Sequence, residues 1–293
     1  MSQAAGPLVS RRRLGAELRR LREAAGLQLA DVAAELECST SKVSRLETGK
    51  GIPKVRDVRD MLSLYGVRPG QRFDRLVTWA REGQQQGWWA EFSDLFQNDP
   101  TLPDNFDQYV ALEAQAHAIS AYESTLIHGL LQTEDYARAT IRTFLEESDE
   151  TEVDRLVELR LKRQRALGAG SQLLLDVVLS EPALRRRVGG AAVHARQIER
   201  LHVLSSGRNV QLRVLPLASG EHRAMAGPYS VLTFSGAEDQ SIVYLEFQLG
   251  TVYVDDRHQV RRYLGIHRSI AAQALGVDES RQFITNLLRE VEP

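Results

Sequence analysis

The chain has 293 residues, 43% of them apolar and 26% charged, the composition of an ordinary soluble protein long enough for about two domains. A single cysteine, Cys38, excludes an internal disulfide, and neither a signal-peptide core nor a run near the roughly 18 apolar residues of a membrane span is present, so a cytoplasmic protein is expected. The net charge of −2 conceals a split, because residues 1–80 hold 15 Lys and Arg against 9 Asp and Glu, and a basic head on an acidic remainder points to an anionic partner for the head.

In "RRRLGAELRRLREAAG" Leu14, Leu18 and Leu21 recur at helical spacing, and Gly26 follows where a left-handed C-cap is expected. "QLADVAAELE" sets Val32, Ala33 and Leu36 on one face of a second helix. In "STSKVSRLETGK" Ser39 can cap a third helix, whose narrow apolar side is Val43 and Leu46; Thr40, Ser41, Ser44 and Arg45 are left on the other side. A fourth helix over about residues 54–65 carries Val55, Val58, Met61 and Leu62, with Gly66 just beyond. Two short helices joined by a tight turn in a small basic bundle describe a helix-turn-helix, whose second helix enters the DNA major groove.

The stretch "LADVAAELECSTSKVSRLETGK" resembles the phage-repressor (XRE) class of helix-turn-helix domains over about residues 14–65. The resemblance implies that Thr40, Ser41, Ser44 and Arg45 approach bases. Arg45 is the expected direct reader, since a guanidinium pairs bidentately with guanine. Lys42, Thr48, Lys50 and Lys54 are expected on phosphates, setting register without reading sequence. The glutamine that contacts phosphate near the start of the second helix in that class is Leu29 here, which leaves Gln28 beside it for the contact. Arg11, Arg12 and Arg13 either add phosphate or minor-groove contacts or belong to a free tail. Glu47 would repel phosphate on a DNA-facing side; the class pairs this glutamate with an arginine of the first helix, which corresponds to Arg22 here. A single recognition helix reads only a few base pairs, so a homodimer on a two-fold operator of double-stranded DNA is expected.

Beyond the head, "FDRLVTWAREGQQQGWWAEF" runs from an amphipathic helix through a Gly/Gln-rich break to Trp88 and Trp89, expected either to pack the connection or to offer a partner-binding patch. A helix is expected through Leu112 to Ile119, then a loop at His128 to Leu131, then a helix capped by Thr133, and a further charged amphipathic helix in "EVDRLVELRLKRQRAL". After Gly170 the pattern changes: "QLLLDVVLS", "NVQLRVLPL", "YSVLTF", "SIVYLEF" and "TVYVD" read as strands, and "RQIERLHVLSS" and "RQFITNLLREV" as helices. The expected architecture is multidomain. It comprises an all-α helix-turn-helix head over residues 10–80, a connecting segment over 81–98, and an α+β domain over 99–293 with one sheet and packed helices.

The strings "GWW", "LEAQAHAISAYESTLIHGLLQTEDYARA" and "RVLPLASGEHRAMAGPYSVLTF" resemble the C-terminal half of an actinobacterial group of XRE regulators, the WhiJ-like or antitoxin-like group. The resemblance implies a transcriptional repressor that receives its signal from a small partner protein encoded by an adjacent gene; the competing expectation is gating by a small-molecule ligand. No enzyme and no cofactor is expected. The seven histidines are scattered, no His-Glu-x-x-His or Gly-x-Ser-x-Gly occurs, and "GAGSQ" lacks the lysine of a phosphate loop. Asp255, Asp256 and His258 read as turn and N-cap residues rather than metal ligands.

Overall fold

The computed structural model describes residues 6–85, 87–98, 102–103, 105–145, 150–168, 170–234, 241–247 and 250–291. The chain divides into two compact units, Met1–Ala90 and Glu91–Pro293. The division falls inside the expected connecting segment, so that Trp88 and Trp89 belong to the first unit and Phe92 to the second.

The first unit is all helix: α1 (Pro7–Ala24), α2 (Leu29–Glu35), α3 (Thr40–Glu47), α4 (Val55–Leu64) and α5 (Gln71–Glu82). Its core gathers the apolar sides of all five, among them Leu14, Leu18, Val32, Val43, Val58, Met61 and Leu76. The punctuation is local chemistry. Gly26 and Gly66, both at φ +72°, follow α1 and α4 in the left-handed region that glycine occupies without a Cβ penalty. The helix α1 begins at Pro7, so the run Arg11 to Arg13 is helical and half-buried, which excludes the free-tail reading. Trp88 and Trp89 meet edge to face at 6.1 Å in a 3-10 turn, both half-buried.

In the second unit follow α6 (Ser93–Asn98), α7 (Phe106–Glu113), β1 (Ala118–Glu123), α8 (Glu134–Phe144), α9 (Glu150–Gln164), β2 (Leu174–Ser180), α10 (Glu181–Arg185) and α11 (Ala191–Leu204). They are completed by β3 (Val210–Leu215), β4 (Tyr229–Thr233), β5 (Ile242–Phe247), β6 (Gly250–Val254), α12 (Arg257–Gln273) and α13 (Val277–Val291). The sheet order is β3-β2-β1-β4-β5-β6. Helical crossovers make β1, β2 and β3 parallel, while β4, β5 and β6 run antiparallel.

One expectation is corrected here. The stretch read as a helix through Leu112 to Ile119 is a helix only to Glu113, and Ala118–Glu123 is the strand β1 between β2 and β4. Alanines at 114, 116, 118 and 121 imitate a helix, and a strand covered on both faces lacks the polar alternation that would betray it. The expected strands after Gly170 form as β2 to β6, while α12, capped by Asp256 accepting from the Gln259 N–H at 2.9 Å, was not anticipated.

Tyr122, Val178, Tyr229, Val231 and Val243 pack on one sheet face with Val260 and Ile270 of α12. The β3 edge is closed: Val214 donates its N–H to Ser280 Oγ at 2.9 Å and accepts from the Leu275 N–H at 2.9 Å, blocking further strand addition. On the unit's other side Glu113 and Arg163 form a buried bidentate pair at 2.7 and 2.9 Å. The guanidinium lies over the rings of Phe106 and Tyr109, at 5.3 and 5.2 Å.

Candidate nucleic-acid interface

The turn from α2 to α3 spans four residues, with Glu37 at φ +48° and the Ser39 Oγ accepting from the Lys42 N–H at 3.2 Å. That cap satisfies one of the donors left over at the start of α3. Val43 is fully buried and Leu46 nearly so, whereas Thr40, Ser41, Arg45, Thr48 and Lys50 are exposed and Ser44 is half-buried. The helix therefore presents two hydroxyls and a guanidinium on one open side.

What fixes the other side is a charge pair. Arg22 of α1 donates to both carboxylate oxygens of Glu47 at 2.7 and 3.0 Å, and its third nitrogen reaches the Leu27 carbonyl at 2.8 Å. Hydrogen bonding to Glu47 pushes the guanidinium further up, so it stays charged. Glu47 is thus turned inward at 7% exposure, away from any phosphate. Burial, reinforced by Glu47, also pushes the nearby Tyr65 phenol up, keeping it neutral.

The close approach of α1 to α3 depends on Gly15. A Cβ there would lie 2.6 Å from the carbonyl oxygens of both Leu46 and Glu47. Gly15→Ala is expected to cost roughly 1 to 3 kcal/mol by overpacking against backbone that cannot yield. Thermal melting of the head checks it, and an unchanged midpoint would show that α3 can shift freely. Gly49, at φ +72°, plays a similar part where α3 ends, since a Cβ would fall 2.9 Å from the Arg12 Cα.

The expected phosphate contacts separate into two groups. Lys50 and Lys54 are exposed beyond the end of α3 and at the start of α4, and Gln28 is exposed before α2, where its N–H donates to Asp31 at 2.7 Å. Thr48 donates its hydroxyl to the Ser44 carbonyl at 2.9 Å. Lys42, in contrast, is held by Asp57 of α4 at 2.6 Å, and that hydrogen bond pushes the ammonium up. Its charge is offset within the protein, and it serves to brace α3 against α4. Arg11 donates to the Gly83 carbonyl at 2.5 Å, and Ser10 to Glu82 at 2.6 Å, so the start of α1 is fastened to the end of α5. Burial lowers Arg11 and Arg13, with Glu82 acting against it at Arg13. Sequence reasoning missed Gly15 and Asp57; the one available signal was a glycine inside a helical pattern.

A helix-turn-helix domain family matches residues 13–76, and a domain of unknown function, DUF5753, matches residues 106–286. No curated protein and no solved structure matches the chain. Among the described residues no helix is long and apolar enough to cross a membrane, and no group of His, Cys, Asp and Glu could hold a metal ion.

Proposed function

The chain belongs to the family of the domain of unknown function DUF5753 and carries a helix-turn-helix domain at its head, and from that premise we propose that it is a sequence-specific transcriptional repressor binding a two-fold DNA operator as a homodimer. The observation that carries the reading is α3 itself, with Thr40, Ser41 and Arg45 open to solvent on a helix anchored from behind by Arg22 and Glu47. Direct readout needs such a rigid, polar, solvent-facing helix side. Repression, a cytoplasmic location and membership of the WhiJ-like group are supported by the sequence resemblance.

In this reading the second unit receives a signal and performs no catalysis. The resemblance supports a small partner protein from an adjacent gene as that signal. A cavity of about 860 Å³ in the second unit favours a small molecule instead, because ligand sites are concave, apolar and of this size.

The test is selection of bound duplexes from random DNA with the full chain, followed by titration against salt. An inverted repeat should emerge. Arg45→Ala should then cost roughly 1 to 3 kcal/mol on the selected site and relax selectivity at one position. Lys50→Ala should weaken all sequences alike and reduce the salt slope by about 1. Equal loss on selected and random DNA in Arg45→Ala would reduce Arg45 to a phosphate contact, and failure to enrich any sequence would sink the regulator reading.

A further inference from the structure

The cavity of the second unit opens on the sheet face opposite α12, outside the carboxyl end of β1. Glu123, Ser230, Tyr244 and Glu246 form its floor, and α9 contributes Leu156 and Arg160 to its wall. The adjoining loop over residues 125–132 is braced from several sides. Gln132 donates to the Ile127 carbonyl at 2.8 Å, Arg160 donates to Gln132 Oε1 at 2.6 Å, and Gln164 donates to the carbonyls of Gly129 and Gln132 at 3.0 and 2.8 Å. From α8 the Tyr136 hydroxyl accepts the Ile127 N–H at 3.1 Å. The wall is therefore fixed before any guest arrives, which lowers the entropy lost on binding.

Once Glu123 is ionised, the charges facing this space do not balance. Tyr122 lies opposite Tyr229, and Ser230 opposite Tyr244, so Glu123, one residue beyond the first pair, and Glu246, two beyond the second, come to the same end of the sheet on either side of Pro228. Their strands, β1 and β5, are separated by β4 and so lie about 10 Å apart. Glu246 accepts the Tyr244 hydroxyl at 2.7 Å. The Glu123 carboxyl has no hydrogen bond or ion pair among the described residues.

Of the cations on α9, Arg163 is taken by Glu113, which leaves Arg160 against two carboxyls. His128, pushed down to about 4 by burial, adds no charge at neutral pH. Burial, with Glu246 adding to it and Arg160 opposing it, pushes Glu123 up to about 8. The neighbouring phenols of Tyr109 and Tyr136 are both pushed up by burial and stay neutral.

Rings join aliphatic side chains such as Ile141, Leu145 and Leu159 on the rest of the surface. Phe106, Tyr109 and Tyr244 follow one another at centroid spacings of 5.8 and 4.2 Å. Phe144 and Phe247, which also line the cavity, are 64% and 56% exposed. Aromatic faces carry negative charge density and attract cations; Phe106 and Tyr109 already hold the Arg163 guanidinium, so Phe144 and Phe247 are the rings open to a guest. We propose that this cavity binds a small organic cation, an amine on an apolar ring-bearing body, with its ammonium between Glu123 and Glu246. Once Glu123 is ionised, at about pH 8 and above, an anion would meet two carboxylates for one guanidinium. The site deepens the reading of the second unit as a signal receiver and rests on it only for the effect on DNA.

Calorimetric titration of the full chain without DNA tests the site, using three probes with one body: tryptamine (cation), tryptophol (neutral) and indole-3-acetate (anion). Tryptamine should saturate and bind about tenfold or more tightly than tryptophol, with indole-3-acetate weakest. Because the ammonium favours ionised Glu123, binding should release a proton, and affinity should rise from about pH 6.5 to about pH 8 and then level. Glu123→Gln should remove both the preference and the pH dependence, while melting no lower than the parent at about pH 8, since it removes a buried acid.

Tighter binding of indole-3-acetate, equal binding of all three probes, no saturation by tryptamine at millimolar concentration, or an unchanged preference in Glu123→Gln would each overturn the proposal. Adding tryptamine to the operator complex is read separately. A shift of about fivefold or more in DNA affinity supports the receiver. Intact tryptamine binding with no such shift would leave the site standing and remove its regulatory role.

Discussion

Glu113→Ala should destabilise the second unit by about 3 to 5 kcal/mol, because it leaves the Arg163 guanidinium buried without its counterion. Glu113 is 2% exposed and Arg163 5%, and the neighbouring charge on α9, Arg160, is of the same sign. Burial alone would push the Glu113 carboxyl up, but Arg163 outweighs it and holds the group below its ordinary range. The pair therefore contributes stability above the unfolded carboxylate range, near pH 4.3, and loses it as the pH falls through the lowered value. Urea unfolding of the full chain checks both statements. Glu113→Leu combined with Arg163→Met should recover most of the loss, since replacing both charges removes the desolvation cost along with the attraction. A single variant as stable as the parent would mean that water reaches Arg163.

Glu47→Ala is expected to cost the head about 3 kcal/mol, at the low end for a buried pair because the Arg22 side chain keeps 10% exposure. The head should melt early. At a temperature low enough to keep it folded, its preference for the selected operator over random DNA should be unchanged, because Glu47 points away from the open side of α3. A variant of full stability with lost selectivity would place Glu47 on the DNA-facing side after all. Arg22→Met in the same background should restore part of the loss without affecting selectivity.

The two units differ in how openly their sequences declare them. In the head, helix positions follow from apolar periodicity, Ser39 and Gly26 mark boundaries by chemistry that acts within a turn of chain, and the Arg22 partner for Glu47 came through resemblance to a class. The assignment of Lys42 to phosphate could not anticipate Asp57, which is distant in sequence and reaches it only when α4 folds back beside α3. The arginine run at 11–13 looked like a tail or a clamp because nothing nearby shows that Gly83 and Glu82 return to meet it.

Length, charge asymmetry, the helix-turn-helix and five of the six strands were determined by the sequence alone, since each depends on solvent exposure and hydrogen bonding over a few residues. Tertiary structure alone decided that Ala118–Glu123 is a strand, and that Glu123, Arg160 and Glu246 face one cavity. The strand is set by its neighbours β2 and β4 rather than by its own propensity. The pairing of these carboxyls arises because the order β1-β4-β5 brings together groups more than a hundred residues apart, and burial removes the water that would otherwise let Glu123 ionise as an ordinary carboxyl.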